Sequence, residues 1–156
     1  MGQTNFLPPY DIILLLIGVN NQYRGRSITE FEDQMEQLVH KARSLAHEKT
    51  KMVMLSIPDC GITPFSEEKN AEKIATEIDA FNAVCETKAR KFPFYFLDII
   101  TSQRANGNEP SYIAENGLHH SGKEYAKWAK EIYAIKVYSI QETESITGMT
   151  LSSIIM

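Results

Sequence analysis

A chain of 156 residues that is 43% hydrophobic and 23% charged can bury one core without covalent staples and has the balance of an ordinary soluble globular domain. The formal net charge is -4 and no Lys/Arg run stands out, which argues against nucleic acid as a partner and fits simple solubility. Cys60 and Cys85 are far apart and show neither metal-ligand spacing nor a disulfide framework, so they point to no metal site.

The first ten residues are polar, hold two prolines and lack a basic-then-apolar signal pattern, so the expected location is the cytoplasm; a natural start further upstream would leave secretion open. The apolar run at residues 12–17 is far short of the ~20 residues that span a bilayer. With Asp11 it reads as a strand buried on both faces, as in a parallel sheet. Gly18 ends it, and Asn20, Asn21, Gln22, Tyr23, Arg24 and Gly25 read as a polar loop.

Thr29-Glu30-Phe31-Glu32 has capping-box spacing, and Phe31, Met35, Leu38, Val39, Ala42 and Leu45 recur at helical intervals, which predicts a helix over 29–48. Residues 51–57 read as a second buried strand, stopped by Pro58, with a Gly/Pro loop over 59–65. A second long helix is expected over 67–91, with Ile74, Ile78, Phe81 and Cys85 as its buried stripe. Residues 94–99 form the third strand, and 101–115, rich in Asn, Gly, Pro and Ser, read as loop. Ser121-x-x-Glu124 repeats the capping-box spacing, and Tyr125, Trp128, Ala129 and Ile132 line one face of a third helix. Residues 139–156 show no clear period and read as a tail, a frayed end or an added element, behind a single domain over 1–138.

Strand–helix alternation argues for an α/β fold with a parallel sheet covered by helices. Right-handed crossovers bring the C-terminal ends of all strands to one edge, where such sheets carry their sites. Gly18 to Asn20, Pro58-Asp59 and Asn116 to His119 converge there on this reading.

His119 is the strongest candidate for chemistry, because general-base work near neutral pH suits an imidazole. Asn116, three residues earlier, stands where an acceptor could hold its Nδ1–H, although an amide brings no negative charge to an imidazolium. The competing reading is a helix-entry histidine without a catalytic role. His120 reads as a solvated neighbour. Asn20 can donate to a developing oxyanion or can serve only as a turn residue, with Gly18 allowing the tight turn beside it. Tyr23 and Arg24 are candidates for a substrate rim, Arg24 as an anion clamp or a surface ion-pair partner. Asp59 is expected to bind its own loop backbone, and Phe92 to Phe96 to pack in the core.

Leu16-Ile17-Gly18-Val19-Asn20-Asn21 resembles the third conserved block, Gly-x-Asn-Asp, of the SGNH hydrolases, also called GDSL esterases. Asn116-Gly117-Leu118-His119-His120-Ser121 resembles their last block, Asp-Gly-Leu-His-Pro-Ser, and Val53 to Pro58 resembles the strand between the two. The resemblance runs from Tyr10 to Tyr133. It implies a flavodoxin-like three-layer α/β/α sandwich and cofactor-free hydrolysis of a small-molecule ester, with His119 as base, Asn20 as oxyanion donor and Gly18, Asn21, Tyr23 and Arg24 around the substrate.

Three departures qualify it. Only seventeen residues precede Gly18, and no Gly-Asp-Ser nucleophile block is among them. The glycine of the family's second block is not identifiable. Asn116 stands for the triad Asp, and Asn21 for the Asp after the oxyanion Asn. The resemblance therefore implies a domain lacking its first strand, impaired or inactive as a hydrolase, or a binding module on the same fold. A missing central strand would leave an open sheet edge, which predicts a homodimer, recruitment of the tail, or low stability. Thr143 to Gly148 faintly echoes the nucleophile block, but no apolar strand precedes Ser145.

Overall fold

Three parallel strands in the order β1-β2-β3 form the centre of the molecule. The computed structural model describes residues 7–66, 69–106 and 109–148. Along the chain the elements are β1 (Tyr10–Leu15), α1 (Val19–Tyr23), α2 (Ile28–Ser44), β2 (Ala46–Leu55), α3 (Ala71–Lys91), β3 (Tyr95–Leu97), α4 (Ile100–Asn106) and α5 (Gly122–Gly148). Short 3-10 turns fill Cys60–Ile62, Pro64–Ser66 and Pro110–Tyr112.

Strand β2 explains the layering. Side chains alternate across a strand, so Met52 and Met54 point to one face and Val53 and Leu55 to the other. The first pair packs with Phe31, Met35 and Val39 of α2 and with Ile74, Ile78 and Phe81 of α3. The second pair packs with Ile99 and with Trp128, Ile132 and Ile135 of α5. The result is a flavodoxin-like α/β/α arrangement. Each large apolar side chain buried this way contributes roughly 1.5–3 kcal/mol, and Ile57, Ile78 and Cys85 are fully buried within it.

Strand β1 differs from its expected double burial. It pairs with β2 on one side only, and it contributes no residue to the cluster beneath α5. Leu14 is 46% exposed, and Leu16 and Ile17 just beyond the strand are similarly open. The apolar run expected to be buried on both faces is therefore partly exposed, and it forms an edge of the sheet among the described residues.

Several boundaries move for local reasons. Residues 19–23, expected as loop, form α1, whose first amides are satisfied by Gly18 O accepting from Asn21 N (2.9 Å) and Gln22 N (3.1 Å). Helix α2 opens on Ser27, not Thr29: Ser27 Oγ accepts from Glu30 N at 3.1 Å, and Ser27-x-x-Glu30 has the same spacing two residues earlier. It stops at Ser44, and residues 46–48, expected to be helical, start β2. That stretch is accommodated by an irregularity: Tyr10 pairs with Ala46 but Ile12 with Lys51, while Thr50 Oγ1 donates to Tyr10 O at 2.6 Å. Helix α3 begins at Ala71 rather than 67, because Asn70 caps it through Lys73 N (2.9 Å).

Residues 100–106 are helical where loop was expected. The cap is remote: Ser56 Oγ accepts from Ile99 N (2.8 Å) and Ile100 N (3.0 Å), with Asp98 Oδ1 accepting from Thr101 N (3.1 Å). At α5 the capping box fails. Ser121 Oγ donates to Ser111 O at 2.7 Å, and Glu124 turns inward, where its Oε1 accepts from Trp128 Nε1 at 2.8 Å. The buried face is thus Glu124 and Trp128, with Tyr125 and Ala129 exposed. Helix α5 continues through Ser139 to Gly148, so Thr143 to Gly148 is helical and no strand leads into Ser145. No helix among the described residues is long and apolar enough to cross a membrane.

Candidate functional site

The turn after β1 depends on one glycine. Gly18 has φ 127°, and a Cβ there would lie 2.4 Å from Ile57 Cδ1 and 3.1 Å from the Phe31 ring. With no side chain, the backbone settles against the core and launches α1, which carries Asn20 and Tyr23 to the wall of a cavity of about 460 Å³. Leu16 and Ile17 line it from the end of β1, and Ile57 and Pro58 from the end of β2. His119 and His120 enter from the loop before α5, and Tyr125 and Trp128 from α5 itself. The three strand-end segments marked out by the sequence therefore meet at one cavity.

Asn116 and His119 are tied together, but with the opposite polarity to that expected. Asn116 Oδ1 accepts from Leu118 N (3.1 Å) and from His119 N (2.9 Å). Those two backbone donors fix which end of the amide is oxygen, so Nδ2 is the atom 2.8 Å from His119 Nδ1. An amide nitrogen can only donate, so Nδ1 accepts, and the neutral ring carries its proton on Nε2. A carboxylate in the same place would accept from Nδ1–H and leave Nε2 as the base.

The remaining sequence candidates divide. The Asn20 side chain is exposed and makes no hydrogen bond to a described residue, so its amide is available at the cavity. Asn21 instead donates from Nδ2 to Gln34 Oε1 at 2.9 Å and does not line the cavity. The Tyr23 ring lies 6.2 Å from Phe65, which also lines the wall. Arg24 is the exposed C-cap of α1 and stands outside the lining. Gly18 and Asn116 act on the cavity through the residues they position.

The opposite wall rests on Asp59, which is fully buried. Its Oδ1 accepts from Gly61 N (2.8 Å) and its Oδ2 from Arg104 Nε (2.9 Å), while Arg104 also pairs with Asp79 at 2.8 Å. Gln103 brackets the same residue, accepting from Asp59 N and donating to Asp59 O. This clamp sets the turn that presents Cys60 and Phe65, and Phe65 N donates to Gly117 O at 3.0 Å, joining it to the histidine loop.

Sequence reasoning missed the aromatic wall. His120, expected in solvent, is half-buried and meets Trp128 edge-on at 4.9 Å. Burial lowers its pKa below the ordinary value, against an opposing pull from Glu124. Its position beside His119 was the only signal. Phe65 lay hidden in a Gly/Pro loop, and Glu124 read as a capping residue.

Among the lining residues there is no Ser or Thr. Cys60 is the lining thiol; it lies 3.8 Å from Gln22 Oε1, and burial first, then the Asp59 charge, push its pKa up. A thiol held neutral is a poor nucleophile. No group of three or more His, Cys, Asp or Glu among the described residues is placed to hold a metal ion. The arrangement is an apolar, aromatic cavity with an amide and an imidazole among its lining groups.

No individually curated protein matches the chain. The model of the GDSL-like Lipase/Acylhydrolase family matches residues 3–127, which span every element from β1 to the first turns of α5 and both rim groups, and the chain belongs to that family.

Proposed function

We propose that this chain keeps the ester-binding cavity of its family and is impaired or inactive as a hydrolase. One observation carries the reading: the Asn116 amide faces Nδ1 of His119 with its nitrogen, which leaves the neutral imidazole protonated on Nε2 and without a lone pair for a hydroxyl proton. The absence of Ser and Thr among the lining residues supports it. His119 and Asn116 are then remnants of the base and its orienter. Asn20 is an oxyanion-type donor that still serves to hold a carbonyl, and Tyr23 borders the ester group. Arg24 and Asn21 are proposed only as outer-rim residues.

The test is hydrolysis of p-nitrophenyl acetate. Turnover is expected at the buffer background and insensitive to His119→Ala. Robust turnover that His119→Ala abolishes overturns the proposal.

A non-catalytic binding module on the same fold is the second reading, favoured by an open cavity whose Asn20 amide is unengaged. The open edge of β1, with exposed Leu14, Leu16 and Ile17, supports a homodimer as the form in solution.

A further inference from the structure

The α5 side of the cavity has a geometry that a simple apolar acyl pocket does not need. Tyr125 and Trp128 meet at 5.0 Å with 77° between their planes. His120 and Trp128 meet at 4.9 Å and 69°, and His120 and Tyr125 at 6.4 Å and 76°. The three rings pack edge-on against one another as one aromatic corner, and all three line the cavity. Behind them lies Glu124, 1% exposed. One of its carboxyl oxygens accepts from Trp128 Nε1 at 2.8 Å, and the other, Oε2, has no hydrogen-bond partner among the described residues. A buried carboxyl oxygen without a donor leaves acceptor lone pairs, and with them negative potential, directed into its surroundings. No Lys or Arg lines the cavity to offset it, and the neighbouring imidazole is neutral at pH 7 because burial holds its pKa down.

Aromatic faces attract cations through the ring quadrupole, and a corner of rings with a carboxylate behind it is the arrangement that recognises ammonium groups. The chain shows the same preference at the other end of the cavity, where Lys69 Nζ sits 4.5 Å from the Tyr23 centroid and 4.1 Å from that of Phe65. Those two rings already have their cation. The His120, Tyr125 and Trp128 corner has none among the described residues.

We infer that this corner is a binding subsite for an alkylammonium group, so that the ligand of the cavity is an ester carrying a quaternary or substituted ammonium centre. The inference rests on the reading of the cavity as the family's ester site. It adds the charge of the ligand: the ammonium sits against the three rings, with Glu124 supplying the balancing field through the wall, and the ester carbonyl extends toward Asn20.

Trp128 is the only tryptophan of the chain, so intrinsic fluorescence reports on this corner directly. The full chain is titrated with choline acetate, with its neutral carbon isostere 3,3-dimethylbutyl acetate, and with an anionic ester of similar size, monoethyl succinate. The cationic ester is expected to bind on the order of tenfold more tightly than the neutral isostere, and the anion most weakly. Glu124→Gln keeps an oxygen for Trp128 Nε1 and is expected to shrink the cationic preference several-fold while leaving the neutral isostere unchanged. Should Glu124→Gln not fold, Tyr125→Leu, at a half-exposed ring, is expected to weaken the cation selectively. Equal or tighter binding of the neutral isostere to the unaltered chain overturns the inference and leaves the ester cavity standing. Absence of any fluorescence change with all three esters overturns the cavity reading as well.

Discussion

The side-chain nitrogen of Asn116 lies 2.8 Å from Nδ1 of His119, and two backbone amides pin the oxygen of the same amide on its other side. One atom thus separates a base-orienting residue from one that turns the base around. Asn116→Asp replaces the donor by an acceptor, so the imidazole is expected to switch from the Nε2–H to the Nδ1–H form. Long-range proton–nitrogen correlation spectra of His119 read the tautomer directly. In a serine protease the corresponding loss of carboxylate costs about 10⁴ in kcat. Here the restored tautomer is expected to give no ester turnover, because no Ser or Thr lines the cavity; a gain of more than about tenfold would mean that a nucleophile reaches it.

Gly18 is the steric hinge of the site, and it can be separated from an ordinary left-handed glycine within the same chain. At Gly18 a methyl group meets Ile57 Cδ1 at 2.4 Å and the backbone is at φ 127°. At Gly25, φ is 64° and nothing lies within 4 Å. Gly25→Ala is therefore expected to cost only the left-handed penalty, about 1 kcal/mol. Gly18→Ala adds overpacking of a filled core, for a total of about 2–5 kcal/mol. Urea denaturation midpoints with an unchanged slope check the difference, and similar losses at both positions would show that Ile57 gives way.

The contrast shows which features the sequence made legible. The strand–helix alternation, the face of α2 running through Phe31, Met35 and Val39, and the convergence of Asn20 with His119 all follow from local pattern and chain order. What stayed hidden was set by partners distant in sequence. Residues 100–106 are helical because Ser56, more than forty positions earlier, caps them, and nothing in 101–115 announces it. Glu124 keeps capping-box spacing yet bonds Trp128, because burial of that ring needs an acceptor for its N–H. The polarity of the Asn116–His119 contact was invisible because an amide can present either end, and only the backbone donors of this turn choose between them.

Asp59 and Arg104 hold the cavity wall from behind at 2.9 Å. Breaking a buried pair by removing one partner costs about 3–5 kcal/mol, but Arg104 keeps Asp79 at 2.8 Å and is partly exposed. Asp59→Asn is therefore expected to lose about 2–3 kcal/mol in urea unfolding. It is also expected to shift the Trp128 emission, since the turn bearing Phe65 loses its anchor. Full stability with altered emission would mean that the pair shapes the wall without supporting the fold.

His120 makes stability depend on pH in a stated direction. Its folded-state pKa lies below the ordinary 6.5, with burial as the main cause. As pH falls through about 6.5 the unfolded chain takes up a proton that the folded chain still refuses, so the unfolded state binds more protons and stability decreases. The loss begins near 6.5 and levels off once pH passes the lower folded value. His120→Phe keeps an edge-on ring against Trp128 and removes the titration. The fall in Tm between pH 7 and pH 5 is expected to be shallower in this variant than in the unaltered chain, and parallel curves would assign the pH dependence to other groups.

The edge of β1 offers the most direct check on assembly. Among the described residues its strand partner is β2, on one side, and Leu14 stands 46% exposed on it. An open, apolar strand edge is a template for pairing with another chain, and a charge placed on it opposes that pairing. Sedimentation of the unaltered chain at tens of micromolar is expected to show a dimer, and Leu14→Lys a monomer with a modest drop in unfolding midpoint, because Leu14 is already 46% exposed. If the unaltered chain sediments as a stable monomer, the edge is tolerated without a partner, and the exposed Leu16 and Ile17 are better explained as the rim of the cavity that they already line.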